Sequence, residues 1–493
     1  MLDSKYINKD EIFQEFQDEV NSLEMYEEMA PLVLERSIPE IQEQVMAGAF
    51  NHYDLTLFYL ARIYKYDREN DQSLNSVISL NSECLVLAHK ADDVFEDMTE
   101  DQREKLKYSV HGMPILLKDN IDVDGMVTTA GAAVMFENTP MEDAQVTNNI
   151  KKAGEIILRK ANLSEWAYYF CGDCPSGYSA IGGQTLNPYG RKTIDTGGSS
   201  SGSGVTVAAN FAVAALGSET AGSIISPASQ NSVVGFKPGM FVEGRGVVPI
   251  SSYLDRVGPM TKNVIDNVII NSVLYSEPLI KGKVSRFSRS SVDGKRIGVY
   301  SRYMENEHYK AAINLMRENG AVIVELEAKE LELPGFLTIL DADMKNDLTS
   351  YFKESAEEEY NDWTIENVIE NNKKSPEKSM PYGQKLFEKV AKNKTLENDL
   401  KEIKVQLLKN AQEYFSAIES LELDSIASIN NYDAAVAAVG MNSLLTVPMG
   451  YDEKGQPLGL TFIGISGKDQ VLYEIATAFE RLSNVRKMPK GFN

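Results

Sequence analysis

The sequence predicts an α/β fold in which strands are covered by helical regions. Three observations lead there. Short apolar runs bounded by turn residues alternate with helical stretches through 110–161 and again through 294–326. Two long segments, 1–100 and 328–425, carry apolar residues at helical spacing instead. The chain then returns to small and apolar residues over 433–480.

Taken in order, 1–100 reads as helical, with Ile38, Ile41 and Val45 and then Leu57, Leu60 and Ile63 at helical spacing. Gly48 and Asn51 punctuate between these two groups. The run 110–117, entered through His111-Gly112 and Pro114, predicts a buried strand. Residues 150–161 predict a helix end followed by a strand at Ile156, Ile157 and Leu158. The stretch VTVAANFAVAALG (205–217) predicts a buried helix. Residues 294–325 predict strand, helix, strand. In 328–425, Leu337, Leu340, Met344, Leu348 and Phe352 mark the inner face of a helical layer. Then come LLTVP, LGLTFIGI and a closing helix.

Residues 172–204 crowd Gly and Ser, as a flexible linker would. They nonetheless run straight into apolar core, and a second Gly/Ser turn, ETAGS, leads into VVGFKPG. Linkers separate domains, whereas this segment is enclosed by core.

Composition narrows the function classes. A chain of 493 residues, 43% hydrophobic and 25% charged, can bury a large core without staples. A net charge of −23 with no dense Lys/Arg stripe predicts no nucleic-acid partner. No apolar run reaches the roughly 20 residues that span a bilayer, so no membrane partner is expected. The acidic N-terminus lacks the basic and apolar regions of a signal peptide. With three cysteines in all, this predicts a reducing, cytoplasmic location. Cys171 and Cys174 have C-x-x-C spacing without a second pair to complete a zinc site, and they read as two loop thiols. No metal and no cofactor are expected.

Hydrolytic chemistry needs a nucleophile, a base and donors for an oxyanion. None of the four histidines lies in a glycine-rich turn, His111 reads as a turn or core histidine, and no G-x-S-x-G elbow occurs. Lysine serves as a base when burial disfavours its charge. Lys118 ends the apolar run Ile115-Leu116-Leu117, where its stem enters the interior or snorkels out. Pattern alone leaves both readings open. Glycines in GGSSSGSG bring serines close to a partner, and small residues in ETAGS leave backbone N–H groups available to an oxyanion. Taken singly, Ser199 also suits a turn hydroxyl and Ser223 a helix N-cap.

Together these motifs resemble the amidase signature family. The resemblance is carried by GGSSSGSG (197–204), SETAGSIISPAS (218–229) and VVGFKPG (233–239). Upstream HGMPILLKDNID and TTAGA match, as do DRVGPMTKNVID and LLTVPMG…LGLTFIG downstream. It spans roughly 35–490 and implies a single large fold, a mixed twisted β-sheet core covered by helices on both sides. It implies Lys118 as catalytic base, Ser199 as bridging serine after a cis peptide, and Ser223 as nucleophile. It places the oxyanion hole at the backbone amides of Thr220, Ala221, Gly222 and Ser223, with Gly197, Gly198 and Ser200 as supporting loop. The implied division is an acidic leader, 1–25, and one domain, 26–493. Within that domain 26–100 is helical, 101–327 carries the catalytic motifs, 328–430 is a helical substrate-side region, and 431–493 closes the core.

The implied activity is hydrolysis of a carboxamide to carboxylate plus ammonia or amine through a seryl acyl-enzyme. Many family members have Asp-Thr-Gly-Gly-Ser-Ile-Arg around the nucleophile, where this chain has Glu219 to Ile225 as ETAGSII. Ile225 removes a common arginine, so a polar contact is missing or replaced there. The Glu-Thr-x-Gly-Ser-Ile form, SGYSAIGGQTLNPYG and Tyr382-Gly383-Gln384 look more like the branch containing bacterial peptide amidases. That makes C-terminal peptide amides the expected substrate, on a monomer or homodimer. Two alternatives are the amidase (glutaminase) subunit of a tRNA-dependent amidotransferase and a non-catalytic binding protein that retains the fold.

Overall fold

The computed structural model describes residues 5–67, 70–239, 245–275, 284–327 and 332–493. Residues 1–4 of the leader and 328–331 of the expected helical region lie outside the described residues. The strands are β1 (Val77–Leu80), β2 (Pro114–Lys118), β3 (Ile156–Ala161), β4 (Tyr178–Ser179), β5 (Gly183–Gln184), β6 (Ala214–Glu219) and β7 (Val234–Lys237). They continue with β8 (Arg256–Thr261), β9 (Arg296–Tyr300), β10 (Val322–Leu326), β11 (Ser425–Ile429), β12 (Ser443–Tyr451) and β13 (Pro457–Gly464).

Eleven of these form one sheet in the order β1-β3-β2-β6-β8-β7-β12-β13-β11-β9-β10, while β4 and β5 pair separately. The sheet is mixed: β2 runs parallel to both β3 and β6, whereas β8 pairs antiparallel with β6 and β7. It is twisted and flanked by helices on both sides, the α/β architecture expected from the sequence. Every residue of β2, PILLK, is buried, as expected of a strand covered on both faces. The strands β12 and β13 pair as a hairpin with Leu444 opposite Ile463. Its turn is closed by the Asp452 N–H donating to the Gln456 carbonyl at 2.9 Å, with Gly455 at φ 80°.

Two elements depart from the sequence reading. The 205–216 run is not one helix: the helix Ser201–Ala208 stops, Asn210 turns left-handed at φ 56°, and β6 begins at Ala214. The Asn210 amide donates to Glu35 Oε1 at 2.7 Å and its carbonyl accepts from Arg62 Nε at 2.8 Å, which holds the break. An apolar run buried on all sides carries no periodicity to separate helix from strand. Among the described residues of the first hundred, helices joined by loops alternate with one strand, β1, which pairs antiparallel with β3 at the sheet edge. In the later helical layer, Leu340, Met344, Leu348 and Phe352 are buried as expected, but Leu337, in the first turn of the helix Phe336–Glu354, is 57% exposed.

Residues 5–25 pack on this core. Phe13 is wholly buried, and Lys9 Nζ donates to the Asp67 carbonyl at 2.9 Å and to its carboxylate at 3.1 Å. The same carboxylate accepts the N–H groups of Leu74, Ser76 and Val77 at the entry to β1. Removing one partner of a buried pair leaves a charge uncompensated, so Asp67→Ala should lower stability by about 3–5 kcal/mol. Urea denaturation of the full chain measures this, and a loss below about 1 kcal/mol, the value of a surface pair, would show that the pair does not hold the segment.

Candidate functional site

Because β2 and β6 are parallel neighbours with Leu117 beside Leu216, Lys118 and Ser218 emerge at the same end of the sheet. Lys118 is wholly buried. Its amine lies 2.7 Å from Ser199 Oγ, 2.9 Å from Ser218 Oγ and 3.1 Å from the Ser218 carbonyl. No ion pair of Lys118 occurs among the described residues. Burial therefore pulls its pKa down to about 7, against weaker upward pulls from Asp255 and then Glu219. Asn120 steadies the cluster: its side-chain amide donates to Ser218 Oγ at 3.0 Å and to the Val248 carbonyl at 3.1 Å.

Ser199 follows a cis peptide bond from Gly198. Its carbonyl accepts the Ser164 N–H at 3.0 Å. The two preceding glycines are demanded by close approach. A Cβ on Gly197, at φ 65°, would lie 2.7 Å from the Pro227 backbone, and one on Gly198 would lie 2.5 Å from Ser164 Oγ. Ser200 fastens the loop to β6, its hydroxyl donating to the Ser218 carbonyl at 3.1 Å and accepting the Ser218 N–H at 3.2 Å.

The second loop leaves β6 at Glu219. That buried carboxylate accepts the N–H groups of Ile224 at 2.7 Å and Ile225 at 2.9 Å, at the start of the helix Ile225–Gln230. The Thr220 hydroxyl donates to Asp255, whose carboxyl burial pushes up to about 6. Gly222, at φ 105°, sits against Asn431. The Ser223 carbonyl accepts the Ser200 N–H at 3.1 Å, pinning the two serine loops together. Unlike Ser199 and Lys118, Ser223 is only partly buried. Among the described residues its hydroxyl makes no hydrogen bond, and neither do the backbone N–H groups of Thr220, Ala221, Gly222 and Ser223.

The structure thus brings Lys118, Ser199, Ser200 and the 220–223 loop together, without a hydrogen bond between the Ser199 and Ser223 hydroxyls. Sequence reasoning missed Ser218 and Asn120, although both lie inside the runs that carried the family resemblance. Ile225 is fully buried, so apolar packing occupies the position of the common arginine. The reading of Cys171 and Cys174 as two separate thiols is corrected: the structure joins them in a disulfide. The C-x-x-C turn brings their Cα atoms to 5.9 Å, within the span of such a bond. His111 Nε2 donates to the Ala91 carbonyl at 3.0 Å, and His111 is a core histidine. Among the described residues no group of three or more His, Cys, Asp or Glu is placed to hold a metal ion. Nor is any helix there long and apolar enough to cross a membrane.

A buried amine of low pKa, two serine hydroxyls and a row of unbonded amides supply what serine-based acyl transfer requires. The family model described as Amidase matches residues 54–473, and the chain belongs to the amidase signature family. A probable amidase of Arabidopsis thaliana is 34% identical over 488 residues, covering 92% of each chain. The crystal structure of an amidase family protein from Bacillus anthracis str. Ames superposes with a TM-score of 0.88 at 29% identity, over 99% of both chains. The native peptide amidase from Stenotrophomonas maltophilia gives a TM-score of 0.82 at 30% identity, over 92% of this chain and 98% of that one. Family membership supports hydrolysis of carboxamide bonds as the general activity.

The Lys118 shift has a consequence for stability. The unfolded chain holds this proton up to the ordinary lysine value near 10.5, while the folded chain releases it near 7. Between these values the unfolded state binds more protons, so the term favours folding increasingly as pH rises. The melting-temperature difference between Lys118→Met and wild type should therefore be largest and flat below pH 7, and shrink as pH climbs toward 9. A difference independent of pH from 6 to 9 would show that Lys118 keeps an ordinary pKa.

Proposed function

We propose that this protein hydrolyses primary carboxamides through an acyl-enzyme on Ser223, with Lys118 as base and Ser199 as proton bridge. The observation that carries the reading is the wholly buried Lys118 amine at 2.7 Å from the Ser199 hydroxyl. Neutral Lys118 takes the Ser199 proton while Ser199 takes the Ser223 proton, and Ser223 Oγ attacks the carbonyl carbon. The negative oxygen faces the unbonded amides of Thr220, Ala221, Gly222 and Ser223. The proton returns through Ser199 to the nitrogen, the C–N bond breaks and ammonia leaves. Water gives a proton to the same relay, attacks the acyl carbon and frees Ser223.

For the substrate, we favour C-terminal peptide amides. Support comes from the likeness to the Stenotrophomonas maltophilia peptide amidase over nearly the whole chain. Exposed aromatic side chains also fit a peptide: Tyr432 follows Asn431, which abuts Gly222, and Tyr168 lies on the segment whose Ser164 bonds Ser199. The helical region, over its described residues 332–430, forms the substrate-side wall in this reading.

Ammonia release should be measured on peptide amides, aryl amides, fatty amides and glutamine. Peptide amides should turn over fastest, and Ser223→Ala and Lys118→Ala should each reduce kcat on the order of a thousandfold or more. Because the base must be neutral, kcat/KM should fall as pH drops below about 7. Activity that survives Ser223→Ala would sink the reading. Turnover of glutamine alone would favour the amidotransferase subunit.

A further inference from the structure

Aspartate is a poor helix former, and a buried one is costly unless paired. The helix Phe336–Glu354 nevertheless carries Asp341 and Asp343, both nearly buried, and the partly buried Asp347. None of them serves its own helix. The Tyr169 hydroxyl donates to Asp341 Oδ1 at 2.7 Å, while Lys389 pairs with Oδ2 at 2.7 Å. Asp343 Oδ2 accepts the Ser251 hydroxyl at 2.5 Å, and its Oδ1 accepts Lys404 Nζ at 2.8 Å. Asp347 Oδ2 accepts the Ser252 N–H at 2.7 Å.

The spacing explains the division of labour. Asp343 and Asp347, four apart, share one face and grip one turn, while Asp341, two residues before Asp343, points to the other side. Both gripped segments bear on the serine loops. The segment with Tyr169 also contains Ser164, whose N–H donates to the Ser199 carbonyl at 3.0 Å. The turn at Ser251 donates the N–H groups of Ile250 at 2.8 Å and Ser251 at 3.1 Å to Asp255 Oδ2, and the other oxygen of Asp255 accepts the Thr220 hydroxyl.

We propose that the helix Phe336–Glu354 positions the nucleophile loop, with Asp343 as positioning residue acting through Ser251 and Asp255 on Thr220. The helical layer on the substrate side and the loop that faces the reacting carbonyl are thereby one hydrogen-bonded unit. Substrate seated on that layer aligns the loop amides, so its fit is expressed in kcat.

The inference rests on Ser223 being the nucleophile, and its test separates the two. In the full chain, Ser251→Ala removes one hydroxyl and leaves the Asp343–Lys404 pair in place. Amide hydrogen exchange over 219–225 should then quicken while β12 and β13 exchange as in wild type, a readout that needs no substrate. On the best amide, Ser251→Ala, Asp343→Asn and Thr220→Val should each lower kcat about tenfold, with KM changed less than about threefold. The Ser251→Ala/Thr220→Val double variant should be no slower than the slower single, because both cut one path. Wild-type exchange over 219–225 in Ser251→Ala, unchanged kcat, or losses that multiply in the double variant would each overturn the coupling. Failure of the functional reading would appear instead as hydrolysis that persists in Ser223→Ala.

Discussion

An amine held in a dry interior, touched by hydroxyls and a carbonyl but by no carboxylate, is the constraint on which the site depends. Lys118 is the last residue of a strand buried along its whole length, between two parallel neighbours. An ion pair there would hold the charge and remove the basicity. The nearest acids act only at a distance: Asp255 is turned toward Thr220 and backbone amides, and Glu219 toward the start of the helix Ile225–Gln230. Their contact with other partners keeps Lys118 able to lose its proton near neutrality.

The serine loops are shaped around that amine by the absence of side chains. Gly197 and Gly198 let the first loop press against Pro227 and Ser164, and Gly217 leaves room for Ser200 against β6. Ser200 then joins both loops, through its hydroxyl to Ser218 and its N–H to Ser223. Glu219 Oε2 accepts the N–H groups of the next two residues, Ile224 and Ile225, while those of 220–223 make no hydrogen bond among the described residues. A buried acid thus ties the end of the loop to the start of the helix Ile225–Gln230.

Much of this was legible in the residues. An apolar run ending in lysine and two Gly/Ser turns enclosed by core marked the segments, the family resemblance singled out Lys118, Ser199 and Ser223 within them, and the structure gathers these segments. What sequence withheld were contacts created by strand pairing. Ser218 meets Lys118 only because β6 lies parallel to β2. Thr220 meets Asp255 because β6 and β8 run antiparallel, with Glu219 opposite Arg256. The helix-to-strand change at Asn210 was hidden because its partners, Glu35 and Arg62, are remote in sequence. The Cys171–Cys174 link depends on how a turn folds, which spacing alone does not fix. The acidic helix Phe336–Glu354 looked like a plain amphipathic cover, since the loops that its aspartates grip come from elsewhere in the chain.

The measurement that bears most directly on this account is the ionisation of Lys118 itself. Lysine labelled with ¹³C at Cε, incorporated into the full chain and titrated by NMR, reports each amine separately, and Lys118→Met identifies the signal. The account predicts that this one lysine titrates near pH 7. A Lys118 signal that stays protonated to the ordinary lysine range would contradict it, because no neutral amine would then be present to accept the Ser199 proton.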